Sequence, residues 1–280
     1  MGGSNTRPYR RWPLAALLIG ALFIPVLDAS ARAEDGLEPV FGPVVQTYPD
    51  LVPDVGFVLL QRQVFFDSET NTWVQDPTTP PSLYFDTRSQ NKGTVPMDLL
   101  LEEPTNPMSS AVTQCTAWSE GICRERQAVG GFTWHDGDGH THFHFNDFAD
   151  YELRKYTKRG EVDWSSRGLI AVSEKVSFCL QDSQTIENGS IGVPRYAGCS
   201  PYSQGISPGW TDIYTSDIEG QRFENLPVGI PDGLYALVID MDPLDRLYES
   251  DNDNNLLVVT VRFLKGATEA RIVGKSYPNW

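Results

Sequence analysis

Pro231-Asp232-Gly233-Leu234-Tyr235-Ala236-Leu237-Val238-Ile239-Asp240-Met241 couples a tight-turn signal to a run of aliphatic, β-branched and aromatic residues. Proline presets φ for a turn and Asp-Gly completes it, so the apolar run that follows reads as a strand entered from a sharp corner. Leu256-Leu257-Val258-Val259-Thr260-Val261-Arg262-Phe263 has the same character and follows a cluster of Asn and Asp. Further strand-like runs lie at 55–66, 82–86, 141–148 and 168–180, each rich in Val, Ile, Leu, Phe or Tyr. Helical periodicity is scarce after the N-terminus. Twenty prolines and 24 glycines scattered between short apolar runs disfavour a parallel α/β sheet. The expectation is an all-β protein: a single antiparallel β-sandwich-like domain at 50–265 with long irregular loops. Residues 34–49 read as a lead-in segment and 266–280 as a loosely held C-terminal tail.

The N-terminus carries a different pattern. Arg7, Arg10 and Arg11 precede an apolar stretch at 14–27, and Ala31-Arg32-Ala33 is a small-x-small cleavage site. That order reads as a signal peptide at 1–33, which places the mature chain outside the cytoplasm, secreted or periplasmic. Four cysteines in an exported chain point to two disulfides, and the most local pairing is Cys115–Cys123 with Cys179–Cys199. A net charge of −15 argues against nucleic acid and anionic membranes as partners, because both demand basic patches.

All four histidines fall between positions 135 and 144. His140, His142 and His144 alternate, and alternate residues on a strand share a face, about 6.5–7 Å apart along the backbone. Imidazoles so placed converge on one ion, and the Irving–Williams order favours copper among the divalent candidates. Three protein ligands leave a position open for water or substrate. An incidental solvated run of histidines is the competing reading. His135 sits before Asp136-Gly137-Asp138-Gly139, as a ligand or as a supporting residue.

The stretch Trp134-His135-Asp-Gly-Asp-Gly-His140-Thr-His142-Phe-His144, followed by Tyr151-Glu-Leu, resembles the copper-binding segment of the lysyl oxidase family. The resemblance extends to Lys175-Val-Ser-Phe-Cys179-Leu-Gln-Asp182 and to Gln204-Gly-Ile-Ser-Pro-Gly-Trp210-Thr-Asp212-Ile-Tyr214. This chain departs from it in a longer Asp-Gly insert and in lacking a cysteine that animal members carry near the histidines. The resemblance implies copper at His140, His142 and His144. It also implies that Lys175 and Tyr214 are the catalytic, cofactor-forming pair, joined as lysine tyrosylquinone. The implied activity is oxidative deamination of primary amines, peptidyl lysine included, to aldehydes with release of ammonia and hydrogen peroxide. The partner is then a primary amine or a lysine-containing protein. The quinone acts as electron sink while the protein supplies a base, for which Asp147 and Asp212 are candidates.

Glu249-Ser-Asp251-Asn-Asp253-Asn254-Asn255 concentrates oxygen donors in a turn, a composition suited to Ca²⁺ or simply to capping a strand. In the family, Glu-Ser-Asp-x-x-Asn-Asn binds structural calcium together with an Asp-Leu-Val that opens the catalytic domain. The resemblance therefore implies Asp50, Leu51, Glu249, Asp251, Asn254 and Asn255 as calcium ligands. Arg88-Ser-Gln-Asn91-Lys-Gly93-Thr94 is also family-like and reads as a turn. Two other readings of the histidines stay open at this point: a three-histidine zinc hydrolase or lyase, and a non-enzymatic copper- and calcium-binding extracellular module.

Overall fold

The computed structural model describes residues 42–101, 110–137, 140–186, 193–200 and 202–278, which leaves the expected signal peptide outside the described residues. Strands and loops account for all of them, and every strand pairing is antiparallel. Among the described residues no helix is long and apolar enough to cross a membrane. The all-β antiparallel expectation holds.

The Gly233–Met241 run lies at the centre of a five-stranded sheet, in the order Leu169–Val172, Ala149–Lys155, Gly233–Met241, Leu256–Leu264, Glu269–Ser276. Its position explains its composition: a central strand buried on both faces needs apolar residues throughout. Tyr235 to Ile239 are all buried. A second sheet runs His140–Phe145, Ile122–Gly137, Ser110–Ser119, Met97–Leu101, Ser203–Ile206. A third holds Gln184–Thr185, Trp210–Tyr214, Thr87–Asn91 and Leu51–Asp54. Phe85, Phe132, Phe145, Phe148 and Phe178 fill the shared core, each at most 1% exposed.

The structure differs from the sequence reading in four places. The 55–66 run is two strands, Val58–Gln61 and Val64–Asp67, in different sheets. The 168–180 run is a strand only over Leu169–Val172; beyond it the chain is irregular and returns to pairing at one bridge, Phe178 with Phe145. Arg88 to Asn91 belong to a strand, with the turn only after Asn91. Glu269–Ser276, expected in a loose tail, is an edge strand bonded to Leu256–Leu264. Both disulfides form as the local pairing anticipates, Cys115–Cys123 and Cys179–Cys199.

Candidate active site

The histidine strand is held from both sides. Its neighbour Ile122–Gly137 pairs His135 with His142 and Thr133 with His144, while Phe143 and Phe145, on the opposite face, are buried in the core. Period-two alternation thus puts histidines on one face and anchors on the other. The Nε2 atoms of His142 and His144 are 2.9 Å apart, and His135 stacks its ring on His144 at 4.8 Å between centroids. Two nitrogens each about 2 Å from one ion at a right angle lie about 2.8 Å apart, so this spacing fits imidazole ligation of copper. His140 pairs through its backbone with Gly137, and its side chain is outside the described part of the structure.

Backbone bonds carry the irregular 173–180 segment onto this strand. The Phe145 N–H donates to the Phe178 carbonyl at 2.7 Å, the reverse bond is 3.1 Å, and the Phe148 N–H donates to the Val176 carbonyl at 2.8 Å. Buried Gln204 closes the joint: its amide donates to the Phe143 carbonyl at 2.7 Å and accepts from the Leu180 N–H at 3.2 Å. Lys175 is positioned from below. Its N–H donates to Ser173 Oγ, whose hydroxyl donates to the Gly220 carbonyl at 2.9 Å. A Cβ on Gly220, where φ is +76°, would sit 2.8 Å from the Lys175 Cβ. Only glycine leaves room for the lysine there.

Tyr214 ends the strand Trp210–Tyr214 and donates its hydroxyl to the Cys179 carbonyl at 2.6 Å. Its ring meets Phe178 edge-on at 4.7 Å. Lys175 Nζ lies 4.9 Å from the centre of the Phe178 ring and 5.1 Å from that of Tyr214. The structure therefore brings Lys175 and Tyr214 together, beside the disulfide whose sulfurs lie within 4.8 Å of a His142 ring nitrogen. Burial lowers the Lys175 pKa, opposed by the charges of Glu219 and Asp212, which favours the neutral, nucleophilic amine. Burial also pushes the Tyr214 phenol well above its ordinary value.

Asp212 is completely buried. Its Oδ1 accepts from the Ser183 hydroxyl at 3.0 Å, and among the described residues its Oδ2 has no hydrogen-bond partner of good geometry. Burial outweighs the hydrogen bonds and raises the carboxyl to about 8. Asp147, the other candidate base, sits on an exposed turn in an ion pair with Arg246 at 3.1 Å. Gln204 opens a family-like stretch, yet neither it nor Gly220 stood out in the sequence as a site residue. Both act through contacts distant along the chain, and no spacing rule reports those.

The oxygen-rich turn meets the start of the first core strand. Glu249 accepts from the Leu51 N–H at 2.7 Å and from the Asn255 amide at 2.9 Å, while the Asn254 amide donates to Asp50 at 2.8 Å. Among the described residues the side-chain oxygens of Asn254 and Asn255 are buried with no partner. Burial raises Glu249 to about 8. Two orphaned amide oxygens beside two carboxylates fit a hard cation, which would satisfy all four. Asp251 is exposed and caps its own turn by accepting from the Asp253 N–H at 2.9 Å.

The lysyl oxidase family model matches residues 114–272. Protein-lysine 6-oxidase of Gallus gallus is 31% identical over 133 residues, 47% of this chain and 28% of that protein. The Sus scrofa protein of the same name is 30% identical over 133 residues, 47% of this chain and 48% of its own. Lysyl oxidase homolog 1 of Homo sapiens is 32% identical over 145 residues, 50% of this chain and 23% of that protein. The match thus spans less than half the length of each of these relatives. The matched residues cover more than half of this chain and run from the histidine hairpin through Lys175 and Tyr214 to the acidic turn; the chain belongs to the lysyl oxidase family.

Proposed function

We propose that this protein is a secreted copper- and quinone-dependent amine oxidase that converts primary amines, including peptidyl lysine, to aldehydes. The overall reaction consumes the amine, O₂ and water, and yields aldehyde, ammonia and hydrogen peroxide. The observation that carries the reading is the convergence of Lys175 Nζ on the Tyr214 ring at 5.1 Å. Burial lowers the lysine's pKa there, which raises the share of nucleophilic amine facing the ring. His140, His142 and His144 would hold copper, which when bound supplies the redox chemistry for oxidising the Tyr214 ring with O₂. Cys179, through its carbonyl, orients the phenol, and Phe178 packs edge-on against its ring. Asp212, with one oxygen uncommitted, takes the substrate's α-proton. Asp50, Leu51, Glu249, Asp251, Asn254 and Asn255 would hold a structural calcium, with Asp251 also ordering the turn.

Metal-free protein loaded with copper and aerated should gain a visible quinone band, a phenylhydrazine-reactive carbonyl and a Lys175–Tyr214 link in peptide maps. Finding both residues unmodified would overturn the reading. Tyr214→Phe should lose amine-dependent peroxide but retain copper, whereas His142→Ala should lose both.

A further inference from the structure

A second group of metal-ligand atoms shares a residue with the histidine cluster. One His142 ring nitrogen and the sulfurs of Cys179 and Cys199 all lie within 4.8 Å of one another. In the disulfide these sulfurs have no thiolate to offer, so the oxidised group is not a metal site. We propose that reduction of Cys179–Cys199 turns it into one: a Cys₂His site for a soft ion such as Zn²⁺, Cd²⁺ or Cu(I), with His142 shared between it and the three-histidine cluster.

Ligand atoms around a tetrahedral zinc stand roughly 3.3–3.8 Å apart, given bonds of about 2.0 Å to nitrogen and 2.3 Å to sulfur. Once the S–S bond is gone, the two sulfurs must separate and the imidazole must move in slightly. Both are side-chain rotations. Access is one-sided: Cys179 is completely buried, whereas Cys199 lines a cavity of about 450 Å³ with Arg195, Gly198, Ser200 and Ser203. A small dithiol entering there attacks the Cys199 sulfur. The S–S bond breaks, the dithiol supplies two electrons and two protons and leaves as its own disulfide, and two thiols remain. A divalent ion then displaces both thiol protons to solvent.

The consequence reaches the proposed oxidase. Reduction with a soft ion present engages His142 in a second site and ties the side chain of Cys179, whose carbonyl holds Tyr214, to that ion. This consequence rests on the proposed function; the Cys₂His site itself does not.

The test uses the metal-free full chain carrying Cys115→Ala and Cys123→Ala, so that a single disulfide remains. It is reduced with dithiothreitol, freed of reductant without air, and titrated with Cd²⁺. The expected result is one Cd²⁺ per chain, with a near-ultraviolet thiolate-to-cadmium band and no such band in the oxidised protein. His142→Ala should weaken binding by about tenfold or more through loss of a ligand. His144→Ala should retain the band, which separates this site from the three-histidine site. No band in the reduced parent, or equal affinity in His142→Ala, would overturn the proposal. Should the double variant not fold, differential alkylation of the reduced wild type decides it. Cd²⁺ should protect Cys179 and Cys199 at a concentration about tenfold lower when His142 is present, with Cys115 and Cys123 as internal reference.

Discussion

Lys175 owes its chemistry to its neighbours, and two of them give sharp predictions. Gly220→Ala forces a methyl group to within 2.8 Å of the Lys175 Cβ at a left-handed φ. Such strain costs about 1–3 kcal/mol. The lysine should be pushed off Tyr214, and peptide maps of copper-treated variant should show several-fold less cross-link. Asp212 gives the pH dependence. Its folded-state carboxyl is raised to about 8 from an ordinary 3.8. Between those values the native state holds a proton that the unfolded state has released, so this group makes stability fall as pH rises through that window. Catalysis runs the other way, because a proton acceptor must be ionised. Amine-dependent peroxide formation should climb with pH through about 8, and Asp212→Asn should be slower by about 10²–10⁴-fold with that limb gone. A wild-type-like profile in Asp212→Asn would remove Asp212 as the base. The alternation of His140, His142 and His144 was readable because strand geometry is local. The burial that makes Lys175 and Asp212 unusual was not, because it comes from strands distant in sequence.

Among the elements, the strands legible in the sequence were those whose composition matches a buried position, such as Gly233–Met241 and Leu256–Leu264. The long hairpin Ser110–Ser119 with Ile122–Gly137 was signalled only by its close cysteines, because Gln, Glu, Arg and Thr interrupt its apolar residues. Glu269–Ser276 escaped for a related reason. It is an edge strand with Ala270 and Ile272 packed on the core and Arg271 and Lys275 exposed, and charge on an edge protects it from pairing with other chains. Lys275 meets Asp54 at 2.6 Å and Tyr277 donates to the Pro53 carbonyl at 2.9 Å, so the strand also ties back to the first core strand. Ile272→Ala should therefore cost about 1–3 kcal/mol, less than a fully buried site would. That corresponds to a melting point lower by roughly 3–10 °C. An unchanged melt would mean the segment is the loose tail its position suggests.

At the scale of the whole molecule, the first core strand and the turn before Leu256–Leu264 are far apart in sequence yet joined by acids. Leu51 N–H meets Glu249, Asn254 meets Asp50, and Ser250 N–H donates to the Pro49 carbonyl. In a chain of net charge −15, two half-buried carboxylates gathered beside two buried amide oxygens without a partner among the described residues are costly unless a cation joins them. Calcium bound only to the folded state stabilises it by about 2.7 kcal/mol at a hundredfold excess over its dissociation constant. A domain of this size should then gain roughly 5–10 °C in melting temperature. Protein stripped with a calcium-selective chelator and titrated with Ca²⁺ should show that rise, while Mg²⁺, which prefers a tighter octahedral shell, should give much less. Glu249→Gln keeps the shape of the corner but removes its best charge, and should abolish most of the calcium response. If stripped and calcium-loaded protein melt together, the corner is held by hydrogen bonds alone, and the orphaned oxygens of Asn254 and Asn255 need another explanation.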